Sequence, residues 1–104
     1  MENKKHSLRI LPMFEDDLNG AVDYITDQLK NPMAADRLID AVEAAIYRRL
    51  DNPEGFEEYN SAKERKYPYY RIYVNNYTIF YVVIDDVMEV RRFVFNRRDM
   101  SKQV

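Results

Sequence analysis

YPYYRIYVNNYTIFYVVIDDVMEVRRFVFNRR, residues 67–98, decides the fold. Three runs rich in Val, Ile, Phe and Tyr are separated by Asn75-Asn76 and by Asp85-Asp86, the pattern of a three-stranded meander with short polar turns. Asn tolerates positive φ, so Asn75 and Asn76 fit the centre of a tight hairpin. That turn sets the register: Val74 opposite Tyr77, Ile72 opposite Ile79, and Tyr70 opposite Tyr81. These six residues then share one apolar face, while Arg71, Tyr73, Thr78 and Phe80 share the other. The second turn sets Ile84 opposite Val87 and Val82 opposite Glu89. Strict alternation fails at the adjacent pair Arg91 and Arg92, and a bulge there would turn Val90, Phe93 and Phe95 all inward.

Upstream, Ser7 to Leu11 reads as a short strand stopped by Pro12. Phe14, Leu18, Ala21, Val22, Ile25 and Leu29 recur at helical spacing, and Glu15, Asp16 and Asp17 place negative charge in the first turn, where the helix dipole favours it. Gly20 lies inside this helix at a cost of about 1 kcal/mol relative to Ala, which points to close packing against a neighbour. Asn31 then serves as N-cap with Pro32 at the first helical position. The second helix runs to about Asp51, with Ala35, Leu38, Val42, Ala45, Ile46 and Leu50 as its apolar stripe, and Asn52-Pro53 ends it. So short a connection makes the helices antiparallel neighbours. Glu54 to Lys66 lacks a dependable period and reads as a loop.

The predicted architecture is therefore a single α+β domain over residues 1–104 in the order β-α-α-β-β-β. A helical hairpin covers one face of a mainly antiparallel four-stranded sheet. The pairing of the first strand stays open at this level, since no turn ties it to a neighbour.

Composition narrows the chemistry. At 46% hydrophobic and 33% charged residues the chain has the balance of a soluble globular domain, and the absence of a long apolar run argues against a membrane span or a signal peptide, so a cytoplasmic location is expected. It has no cysteine, a single histidine and two glycines, which excludes disulfides, a zinc cluster and a glycine-rich phosphate loop. Metal and cofactor are not expected. His6 lies near the terminus and is read as incidental. What catalysis remains rests on cations and phenols, a set suited to phosphate, where Arg stabilises extra negative charge and Tyr or Lys can move a proton. The net charge of −2 argues against a wholly nucleic-acid-binding surface. Its distribution is uneven, however. Lys63, Arg65, Lys66 and Arg71 are offset by Glu64 alone, and Arg91, Arg92, Arg97, Arg98 and Lys102 by Asp99 alone. Glu15, Asp16, Asp17, Asp23 and Asp27 make the first helix acidic.

These pieces in this order, FEDDLNGAVDYITDQL (14–29), NPMAADRLIDAVEAAI (31–46), YYRIYVNNYTIFYVV (69–83) and VRRFVFNRRDM (90–100), resemble the toxins of the RelE/ParE superfamily, the stable partners in bacterial type II toxin-antitoxin pairs. The resemblance spans nearly the whole chain and implies the fold derived above. It also implies a cognate antitoxin as partner, acidic and amphipathic, covering the sheet face or the helical hairpin. Assembly is then as a homodimer or as a toxin-antitoxin hetero-oligomer.

The superfamily has two branches with different targets. RelE-like members act on the ribosome and cleave mRNA as endoribonucleases, while ParE-like members poison DNA gyrase without catalytic residues. On the nuclease reading, Arg71 and Arg98 take catalytic roles and converge on one phosphodiester at the uncovered sheet face. Lys63, Arg65, Lys66, Tyr73, Phe80 and Arg97 then bind the RNA or other target, and Lys63, Lys66 or Tyr73 assists in binding or proton transfer. Thr78 stands where that branch places an arginine, and the tail MSKQV has neither Tyr nor His at the position of its general acid or base. On the gyrase reading none of these needs to react, and a member that only binds its antitoxin is the third alternative.

Overall fold

The computed structural model describes residues 6–59 and 66–96. Its elements are β1 (Ser7–Ile10), α1 (Pro12–Asp23), a π-helical turn (Tyr24–Gln28), α2 (Pro32–Leu50), β2 (Glu58–Tyr59), β3 (Tyr69–Val74), β4 (Tyr77–Ile84) and β5 (Val87–Phe95). The strands form one five-stranded sheet in the order β1-β5-β4-β3-β2.

The meander has the register its turns predict. Val74 faces Tyr77, Ile72 faces Ile79 and Tyr70 faces Tyr81. Ile84 faces Val87, and Val82 faces Glu89. Asn75, Asp85 and Asp86 adopt positive φ, the conformation these turns require and Asn and Asp tolerate. Across from Phe80 and Tyr81 the ladder skips Arg91, so the bulge falls where the alternation failed.

The sheet has one strand more than the four expected. Glu58–Tyr59, within the stretch read as a loop, pairs antiparallel with Tyr70 and Tyr69, and two residues are too few to produce a period. β1 pairs parallel with β5, Ser7 to Val87 through Ile10 to Val90. Pro12 and α1 then carry the chain over the sheet, as a parallel pairing requires.

Asn31 caps α2 by accepting the Ala34 N–H at 3.1 Å, with Pro32 opening the helix. Its stripe Ala35, Leu38, Val42, Ala45 and Ile46 is buried, the last four in one cluster with Tyr70, Ile72, Ile79, Tyr81, Met88 and Val90 and with Phe14 from α1. Within this core Phe14 meets Phe93 edge-on at 5.7 Å, and Tyr70 stacks on Tyr81 at 5.3 Å.

The first helix differs from expectation in its second half. From Tyr24 the hydrogen bonds lengthen, with Leu29 N–H donating to Tyr24 O and Asn31 N–H to Ile25 O. This extra residue per turn rotates the stripe, and Leu29 is 56% exposed rather than buried. Gly20 does not mark a close approach either: a Cβ built there meets nothing within 4 Å. Phe95, expected inside, is half exposed at the end of β5, touching Tyr77 edge-on. Among the described residues no helix is long and apolar enough to cross a membrane.

Candidate functional site

The face of the sheet turned away from the helices carries Arg71, Tyr73, Thr78, Phe80, Val82 and Glu89, as alternation requires. Three of its cations are held by carboxylates. Glu89, with a side chain only 9% exposed, accepts from Arg9 at 3.0 Å and from Arg91 at 2.7 Å. Burial raises the Glu89 pKa, but the hydrogen bonds and charges of these two guanidiniums outweigh it and hold the carboxyl below its ordinary value. Arg92 leaves this face for α1, where Asp17 takes it in a two-pronged pair at 2.7 and 3.1 Å.

Thr78 is buried, and its hydroxyl donates to Asn96 Oδ1. It is therefore unavailable to a ligand. Phe80, half-buried, meets Tyr59 edge-on at 5.4 Å and Tyr69 at a tilt at 6.0 Å, so its ring belongs to an aromatic cluster. Arg71 lies over the Tyr59 ring, 4.6 Å from its centroid, and 5.6 Å from that of Tyr73. Tyr73 is 63% exposed. The structure thus brings together Arg71, Tyr73 and the Phe80 cluster. Lys66 is exposed near the Tyr67 ring, before β3 begins. Lys63, Arg65, Arg97 and Arg98 lie outside the described residues.

A second group of cations gathers at the β3 edge from the helix side. Arg48 and Arg49 end α2, where positive charge favours the dipole. Arg49 Nη1 donates to the Arg71 carbonyl at 3.1 Å and to the Tyr81 hydroxyl at 2.8 Å, while its guanidinium stacks on Phe56, 3.5 Å from the ring centroid. The Tyr81 hydroxyl in turn donates to Pro53 O at 2.7 Å. Beside this clamp runs a shallow groove of about 320 Å³ lined by Ala45, Arg48, Arg49, Phe56, Ile72 and Tyr73. Neither Arg48 nor Arg49 is among the residues singled out from the sequence. The available signal was the adjacent pair at a helix end, with an aromatic, Phe56, seven residues after Arg49.

His6 is packed rather than free at a terminus: its side chain is 9% exposed, with Nε2 4.0 Å from Glu54 Oε1. Among the described residues no cluster of His, Cys, Asp or Glu is arranged to hold a metal.

Residues 8–100 match the family model described as the ParE toxin of a type II toxin-antitoxin system, parDE. The fold is similar to a chain of the solved chromosomal ParDE TA system from P. aeruginosa, with a TM-score of 0.69 over 89% of this chain and 98% of that one, at 12% identity. At that identity the likeness concerns the fold. No curated protein matches this sequence.

Proposed function

Since the chain belongs to the ParE toxin family of type II toxin-antitoxin systems, we propose that it arrests growth by binding a protein target, DNA gyrase, and that a cognate antitoxin holds it inactive. A cytoplasmic location goes with both partners. The observation that carries this reading is the state of the sheet face that an RNA-cleaving relative would use. Arg9 and Arg91 are both tied to Glu89, and Arg92 to Asp17. Thr78 is buried against Asn96. Arg71 is left among phenol rings, and it lies over their faces rather than against a group placed to move a proton. Aromatic residues flanked by arginine on a sheet are the composition of a protein-binding surface.

The test is to add purified toxin to DNA gyrase and separately to translating ribosomes. Loss of supercoiling with mRNA left intact is the expected result. Cleavage of ribosome-bound mRNA with gyrase unaffected would overturn the proposal and return the catalytic roles to Arg71 and Arg98.

A further inference from the structure

We propose that the groove between the end of α2 and β3 receives an acidic residue of the antitoxin together with a neighbouring apolar side chain. This rests on the reading above that a cognate antitoxin binds the chain, and it adds the place and the chemistry. Of the described arginines on the sheet, Arg9 and Arg91 share Glu89, Arg92 is held by Asp17, and Arg71 lies over the Tyr59 ring. Arg48 and Arg49 pair with no carboxylate among the described residues. Arg49 is also fixed in advance. One of its nitrogens is anchored to the Arg71 carbonyl and the Tyr81 hydroxyl, and its plane is held against Phe56. Arg49 lines the groove, and among the described residues its Nε and Nη2 make no hydrogen bond; that pair of donors on a rigid planar fork is the geometry that binds a carboxylate through two parallel hydrogen bonds.

The rest of the lining selects a protein carboxylate over a nucleic-acid phosphate. Ala45 and Ile72 line the groove with apolar surface, and Phe56 and Tyr73, 50% and 63% exposed, stand beside it. Such a surface is covered favourably by an aliphatic or aromatic side chain and not by a sugar-phosphate backbone. An amphipathic segment that places an acid beside a Leu, Val or Phe fits both halves.

The experiment measures binding of the cognate antitoxin, encoded beside the toxin, by calorimetry to three toxin variants. Arg48→Glu reverses a charge at the groove without touching the Arg49 anchors, Tyr73→Ala removes an exposed wall, and Arg37→Glu makes the same charge change eleven residues earlier, about 16 Å along the helix axis. Circular dichroism and thermal melts verify that each variant is folded. Arg48→Glu is expected to weaken binding by about tenfold or more and to flatten its salt dependence. Tyr73→Ala weakens it with the salt dependence unchanged, and Arg37→Glu has little effect. Equal losses at positions 37 and 48, or none at 48 and 73, would overturn the groove assignment while leaving the antitoxin reading intact. Absence of any complex with the unaltered toxin would overturn both.

Discussion

Asp17 on α1 substitutes for a missing strand at Phe93 on β5. The parallel partner β1 stops pairing at Val90, which leaves the outer edge of β5 open from the bulge onward. One carboxylate oxygen of Asp17 accepts the Phe93 N–H at 3.0 Å and Arg92 Nε at 2.7 Å. The first helix thereby satisfies a ladder donor and shields an edge that would otherwise invite another strand. Asp17→Ala is expected to destabilise the fold by about 1.5–3 kcal/mol, the range for a hydrogen-bonded charge. Chemical denaturation at neutral pH checks the loss.

The same contacts predict the response to acid. Burial raises the Asp17 pKa, but the Arg92 hydrogen bond, the Phe93 N–H and the Arg92 charge lower it further, with a net shift below 3.8. Glu89 is likewise held below 4.5. A carboxylate with a depressed folded pKa contributes stability that is fully present above its unfolded value and is lost as pH falls through the folded one. Stability should therefore hold steady down to about pH 5 and fall below it. An Asp17→Asn, Glu89→Gln double variant should be less stable at neutral pH and show a shallower decline in acid. Thermal melts between neutral pH and pH 2 measure both.

Tyr81 joins α2, the following loop and the sheet through one hydroxyl, which accepts from Arg49 and donates to Pro53 O. The residue is fully buried, and burial raises its pKa, partly offset by the Arg49 hydrogen bond and charge. Tyr81→Phe keeps the ring and its stacking on Tyr70 but strands the Pro53 carbonyl and one Arg49 donor. The expected cost is about 1–3 kcal/mol, with the dependence on denaturant unchanged because the exposed area hardly differs. A shift of the urea midpoint without a change in slope is the outcome to look for.

Gly20 offers a gain. It sits in an exposed helical turn with open space where a Cβ would go. Alanine there removes backbone entropy from the unfolded chain and should stabilise the protein by about 0.5–1 kcal/mol, or several degrees in Tm for a domain of this size. A lower Tm for Gly20→Ala would count against the position being an open helical site.

Arg71 separates the two toxin mechanisms. Its ring contacts are worth about 0.5–1 kcal/mol at an accessible site, so Arg71→Ala should fold. On the gyrase reading, cells making that variant without antitoxin keep translating, as do cells making the unaltered toxin. A translation block relieved by Arg71→Ala would restore the nuclease mechanism.

Much of the fold is written in short stretches of sequence. The hairpin registers follow from Asn75-Asn76 and Asp85-Asp86, the bulge from Arg91-Arg92, and the α2 start from Asn31-Pro32, because each depends on the conformations of a few adjacent residues. Period-2 and helical spacings likewise determined which residues of β3, β4 and α2 face the core. Only the tertiary structure decided the parallel seat of β1, the pairing of two-residue β2, and which arginines keep a free edge. Those outcomes join residues far apart in the chain: Arg9 to Glu89, Asp17 to Arg92, Arg49 to Arg71. Local propensity carries no information about such meetings, since a guanidinium acquires its partner from the packing of elements rather than from its neighbours in sequence.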